Sequence, residues 1–178
     1  MRTADLDGVT LELVVGDIAG QDDVAAVVNA ANAELQTGGG VAGAIHRAAG
    51  PGLAEEATRY APIEPGQCVI TGAHDLPNDS VIHCLGPVYG VDEPSDRLLA
   101  DCYRNALALA EDAGIESVAF PAISSGAFGY PMRDAARVAL ATLLAQAPSL
   151  SAVRTIRFVL HHQQAMAIHA EALDDLTG

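Results

Sequence analysis

The sequence predicts an α/β protein: a three-layer α/β/α sandwich in which helices cover both faces of a central mixed, mostly parallel sheet. Three observations predict it. From residue 80 onward strand-like and helix-like segments alternate, the order that builds parallel sheets. Residues 24–31 form a nearly continuous apolar run, as a strand covered on both faces requires. Leu99, Cys102, Tyr103, Ala106 and Ala110 recur at helical spacing, so one stripe of that segment is buried.

In chain order, residues 10–15 read as a strand leading into Gly16-Asp17-Ile18, and residues 24–31 as the buried strand. Ala44-Ile45-His46-Arg47-Ala48-Ala49 is helical in composition and is stopped by Gly50-Pro51. Residues 67–71 and 80–85 are two further strands. Residues 96–113 make the amphipathic helix, with Gly114 as its stop. Residues 117–120 are a short strand. Pro131 is placed to open a helix over 133–147, with Pro148 beyond its end. A last strand spans 155–160 and a terminal helix 163–176.

The chain has 178 residues, a length that fits one domain over 1–178 with enough chain to bury a sizeable core. It carries 23 acidic residues against 9 basic ones, for a formal charge of -14, and every basic residue is Arg. That balance argues against nucleic-acid and anionic-membrane partners, which draw on clusters of Lys and Arg. It leaves open a small anion held by backbone groups. Cys68, Cys84 and Cys102 are odd in number and lack C-x-x-C spacing, so reduced thiols are expected and neither a disulfide framework nor a metal site is. The first residues lack an apolar signal region, and no apolar run is long enough to span a bilayer. A cytoplasmic monomer without cofactor is the expectation.

Two glycine-rich loops carry the functional signal. Gly38, Gly39, Gly40, Val41, Ala42 and Gly43 stand just before a helix. Such a loop presents unpaired N–H groups and the positive end of a helix dipole, a ready phosphate site. Gly38, Gly40 and Gly43 also satisfy G-x-G-x-x-G. In a dinucleotide-binding fold that motif directly follows a strand, whereas six residues, 32–37, intervene here. A nicotinamide-dependent oxidoreductase is therefore disfavoured. The second loop, Ser124-Ser125-Gly126-Ala127-Phe128-Gly129-Tyr130-Pro131, follows a strand and precedes a helix. Its N–H groups and hydroxyls can form the opposite wall of one anion cleft, at the strand ends where open α/β sheets bind ligands.

Taken together, Gly16-Asp17-Ile18, Val28-Asn29-Ala30-Ala31-Asn32, the segment Gly38-Gly39-Gly40-Val41-Ala42-Gly43-Ala44-Ile45-His46, and the stretch from Pro121 to Pro131 resemble the macrodomain family, most of all its MacroD type. Val81-Ile82-His83 with Gly86-Pro87 fits the same pattern. The resemblance implies an ADP-ribose site. Asp17, with Ile18, would receive the adenine amino group, a donor facing an acceptor-only carboxylate; the lesser alternative is a helix or turn cap. Asn29 and Asn32 would stand at a strand end, Asn32 facing the distal ribose. Gly38 through Ile45, and Ser125 with Gly126, Ala127 and Phe128, would hold the diphosphate through backbone N–H groups, with Ser124 a further ligand contact. Phe128 would lie on the distal ribose and His161 on the adenine side. His74 and His83 read as structural.

The sequence departs from the resembled pattern at Ala42. MacroD-type enzymes carry an aspartate in a Gly-Val-Asp-Gly stretch, placed to activate or orient a water; here the stretch is Gly40-Val41-Ala42-Gly43. The ten-residue interval from Asn32 is intact, so a shifted alignment does not explain the change. Asn32 and His46 remain as the catalytic candidates. The expected activity is release of mono-ADP-ribose from ester-linked protein carboxylates, and also from O-acetyl-ADP-ribose, with the substrate diphosphate orienting the water. The alternative is a reader module that binds ADP-ribose and mono-ADP-ribosylated proteins without turnover.

Overall fold

A computed structural model describes residues 1–178. Seven strands form one sheet: β1 (Arg2–Leu6), β2 (Val9–Val15), β3 (Ala26–Ala30), β4 (Cys68–Gly72), β5 (Ser80–Cys84), β6 (Ser117–Phe120) and β7 (Thr155–Leu160). Their order is β1-β2-β7-β6-β3-β5-β4. The five inner strands run parallel, and β1 and β4 close the edges antiparallel. Helices α1 (Gly40–Ala49) and α2 (Gly52–Ala57) cover one face; α3 (Ser95–Asp112), α4 (Met132–Gln146) and α5 (Gln163–Thr177) cover the other. The sandwich expected from the alternation of elements is the one observed.

The two faces of β3 explain its continuous apolar reading. Ala26 and Val28 point into the larger core with α3, α4 and α5, while Val27 points into the smaller core with Ile45, Ala49 and Leu53. In the larger core Tyr103 packs tilted against Phe120 and stacked on Phe158, with ring centroids 5.3 and 6.0 Å away. The Tyr103 hydroxyl then reaches the strand end, donating to the Pro121 carbonyl and accepting the Ile123 N–H. The core thus fixes the root of the second glycine loop.

Three local features differ from the sequence reading. β1 was not expected: its polar alternation leaves only Ala4 and Leu6 against the core, as an edge strand allows. α2 was also not expected, being six residues that begin with glycine. Most consequential, α1 starts at Gly40 and not Ala44, so the glycine run forms the first helical turn. Glycine disfavours a helix by about 1 kcal/mol per residue, and here packing overrides that preference. A side chain at Gly43 would overlap the Gly38 carbonyl oxygen, so loop and helix can close on each other only with glycine there.

Cys68, Cys84 and Cys102 are free thiols, and burial pushes the Cys84 thiol up, away from the reactive thiolate. No group of three His, Cys, Asp or Glu side chains is arranged to hold a metal ion. No helix is long and apolar enough to cross a membrane.

Candidate ligand site

A cavity of about 510 Å³ opens at the carboxyl ends of the parallel strands. Its wall takes Ala30, Ala31 and Asn32 from the end of β3, Gly86 from beyond β5, residues 122–128 from beyond β6, and Val159, Leu160 and His161 from the end of β7. Gly38, Gly39, Gly40, Val41 and Ala42 close one side. Its size lies within the usual range for small-molecule sites, about 300–1,000 Å³.

The wall contains no Asp, Glu, Lys or Arg, although the chain carries 32 such residues, 9 basic and 23 acidic. What it offers instead is backbone. The first bond of α1 runs from the Gly43 N–H to the Gly39 carbonyl at 3.2 Å. The N–H groups of Gly38, Gly39, Gly40, Val41 and Ala42 therefore have no protein acceptor. Across the cavity, the N–H groups of Ser124, Gly126, Ala127 and Phe128 are likewise unpaired. Met132, the first residue of α4, and His162, which caps α5, also line the wall. Residues from the first turns or caps of three helices thus line one cavity, positions where helix dipoles favour negative charge.

Two of the chain's positive-φ residues lie in this wall. Gly40 has φ +55, a conformation side chains rarely adopt. Ser124 adopts φ +66 without being glycine, and its hydroxyl is buried without a partner. It is wedged against Gly86, where any side chain would overlap it.

Asn32 is held in the wall by its own loop. Its Nδ2 donates to the Gln36 carbonyl and its Oδ1 accepts the Gln36 N–H, each at 3.0 Å. Each amide atom keeps one further hydrogen-bonding position for a ligand. A Cβ on Gly38 would touch both Asn32 Nδ2 and Ala42 Cβ, which places Asn32 and Ala42 on one side of the cavity. Phe128, Ser125 and His161 also line it.

Other candidates lie outside the wall. Asp17 is exposed and caps the 3-10 turn Ile18–Gly20, accepting the Ala19 N–H at 3.0 Å with one carboxylate oxygen. Ile18 and Ile45 are buried in the smaller core. The Gly43 N–H is spent inside the helix. Asn29 is fully buried on β3 and donates to His83 Nδ1 at 3.1 Å, while His83 Nε2 meets Thr71 at 3.0 Å. His46 is buried between α1 and the sheet, its ring centroid 6.4 Å from that of His83. Burial lowers the pKa of both imidazoles, His83 to about 3, with His46 adding repulsion. Both rings are therefore neutral near pH 7. Gly86, Met132 and His162 are wall residues that sequence reasoning missed; the capping position of His162, directly after His161, was the available signal.

Fold and cavity together define an α/β domain of the ligand-binding kind, with a cavity lined by unpaired backbone N–H groups and helix ends. The chain belongs to the macro domain family, whose model matches residues 28–139. It is 45% identical over 172 residues to a macro domain-containing protein in the sno 5'region of Streptomyces nogalater, with 93% of each chain covered. It is 42% identical over 167 residues to a protein of Klebsiella pneumoniae (strain 342) named O-acetyl-ADP-ribose deacetylase, covering 91% of this chain and 95% of the relative. Among solved structures, a glycine-to-valine mutant of the Oceanobacillus iheyensis macrodomain with ADPR matches with a TM-score of 0.93 at 36% identity. That match covers 98% of this chain and 97% of the other.

Proposed function

We propose that this chain binds ADP-ribose in the cavity and hydrolyses mono-ADP-ribose from ester-linked protein carboxylates, with O-acetyl-ADP-ribose as a further substrate. The observation that carries the reading is the pair of facing backbone runs, Gly38 to Ala42 and Ser124 to Phe128, whose N–H groups, that of Ser125 apart, are unpaired. A diphosphate between them satisfies these donors without any cationic side chain. Relatives named O-acetyl-ADP-ribose deacetylase support a hydrolase, and macrodomain structures with ADPR support the ligand.

In this reading Asn32 meets the distal ribose hydroxyls and Phe128 covers that ring. The glycosidic ester breaks as a water oxygen bonds to the anomeric carbon, the carboxylate leaves as an anion, and the water proton passes to a diphosphate oxygen. Positive charge develops on the ribose in such a transition state, and the adjacent diphosphate stabilises it. The wall has no carboxylate, and with His161 on the adenine side the substrate diphosphate is the base beside the distal ribose in this reading. His46, neutral and buried behind the first turn of α1, acts as a positioning residue. The missing aspartate limits the rate, since a positioned base contributes about 10²–10⁴-fold.

The test is release of ADP-ribose from an ADP-ribosylated glutamate peptide at stoichiometric enzyme. Release over hours above the enzyme-free rate is expected, and an unchanged peptide overturns the hydrolase reading. One observation favours a second reading, a module that binds without turnover: Ala42 puts a methyl group where a carboxylate could activate water. Tight ADP-ribose binding with an unchanged peptide selects it.

A further inference from the structure

Beside the cavity wall lies an apolar ledge that is not part of the cavity lining. Tyr89 is 45% exposed and Val91 is 73% exposed, on the turn that follows Gly86 of the cavity wall. The Tyr89 ring leans on Tyr130, with centroids 4.6 Å apart. The turn is joined to the site: the Tyr89 N–H donates to the Phe128 carbonyl at 2.9 Å. It is also held in shape from within, because Asp92 accepts the Val88 N–H and Ser95 donates to the Asp92 carbonyl. No element of the fold covers the Val91 side chain.

Carboxylates surround this ledge. Glu93, Asp96 and Asp134 are exposed, and all three act on Tyr130. Burial raises its phenol pKa first, followed by the negative charge of Asp96, the neighbouring Tyr89, Asp134 and Glu93. Arg133, next to Asp134 in the chain, is taken up by Glu171. The aromatic faces and the carboxylates both favour a cationic partner.

We infer that the ledge of Tyr89 and Val91 docks the polypeptide flanking the modified side chain, and that it selects cationic sequence there. The inference rests on the proposed placement of the distal ribose against Phe128, since that end of ADP-ribose carries the protein. A peptide leaving the cavity beside Phe128 meets Tyr89 next. The Arg side chains of such a peptide lie flat on the rings and face Asp96 and Asp134. Free ADP-ribose and O-acetyl-ADP-ribose do not reach the ledge.

The test compares affinities, so that it reads docking independently of turnover. Two peptides carrying ADP-ribose through a non-hydrolysable linkage are titrated, one with Arg and one with Asp on either side of the attachment, beside free ADP-ribose. The Arg peptide is expected to bind about three- to tenfold more tightly than the Asp peptide, the size of a few exposed charge pairs. The difference should collapse at about 1 M salt, where the Debye length falls to about 3 Å. In the Asp96→Arg/Asp134→Arg double variant the preference should reverse, and in Tyr89→Ala the Arg peptide should lose most of its advantage. Unchanged ADP-ribose affinity shows that these variants are folded. Equal affinities for both peptides, or a preference untouched by every variant, would overturn the inference. Failure of free ADP-ribose to bind would instead overturn the ligand reading and the inference with it.

Discussion

The phenolic oxygen of Tyr103 accepts the backbone N–H of Ile123 at 3.3 Å, from inside the larger core. It also donates to the Pro121 carbonyl at 3.4 Å. A single buried hydroxyl therefore ties α3 to the root of the loop that supplies one wall of the ligand site. Tyr103→Phe keeps the ring stacking and leaves two buried backbone groups short of a partner. The expected cost is about 1–3 kcal/mol of stability, read by chemical denaturation, together with weaker ADP-ribose binding. Unchanged stability and affinity would show that the loop holds its shape without the tie.

Gly40 stands at φ +55 with its N–H unpaired at the start of α1. Gly40→Glu adds a side chain in a conformation unfavourable by about 1–2 kcal/mol and brings a negative charge to the proposed phosphate position. ADP-ribose binding should be lost in calorimetry while the far-UV circular dichroism stays that of the parent. Retained affinity would remove the first glycine loop from the site.

Buried neutral imidazoles make stability depend on acid. Burial holds His83 down to about 3 against an ordinary 6.5, and lowers His46 and His169 as well. Between those values the unfolded chain takes up protons that the folded chain refuses, so stability is full above about pH 6.5 and falls as pH drops toward 3. The slope is about 1 kcal/mol per pH unit for each group that behaves this way. Urea midpoints from pH 7 to pH 4 should decline, and His83→Gln should reduce the slope. A pH-independent midpoint over this range would contradict the neutral assignment.

Much of the site was readable because its chemistry is local. Glycine clusters before helices, and a Ser-Ser-Gly loop after a strand, announce themselves as donor-rich turns. The start of α1 was not readable, because helix propensity assigns Gly40 to Gly43 to a loop and only the close approach of Gly43 to Gly38 makes them helical. Asn29 shows the opposite limit. An asparagine at a strand end reads as a turn former or a ligand contact, and its pairing with His83 exists only once β3 and β5 lie side by side. Met132 and Gly86 enter the wall through the sheet order, which no single segment encodes.

Ala42 separates two accounts of the chemistry. It lies on the same side of the cavity as Asn32. Ala42→Asp should raise turnover of the ester-linked substrate by tenfold or more, within the about 10²–10⁴-fold range of a positioned base. An unchanged or lower rate would show that the substrate diphosphate already supplies all the activation the site can use.

On the proposed function, a lysine-free chain of net charge -14 holds a diphosphate with backbone N–H groups and helix ends. Calorimetric titration with ADP-ribose across about 50 to 500 mM salt tests it most directly. The negative surface opposes the ligand within a Debye length of about 8 Å near physiological ionic strength, so one-site binding should stay flat or strengthen slightly as salt rises. Absent binding, or an affinity that falls steeply with salt as in charge-driven polyanion capture, would contradict it.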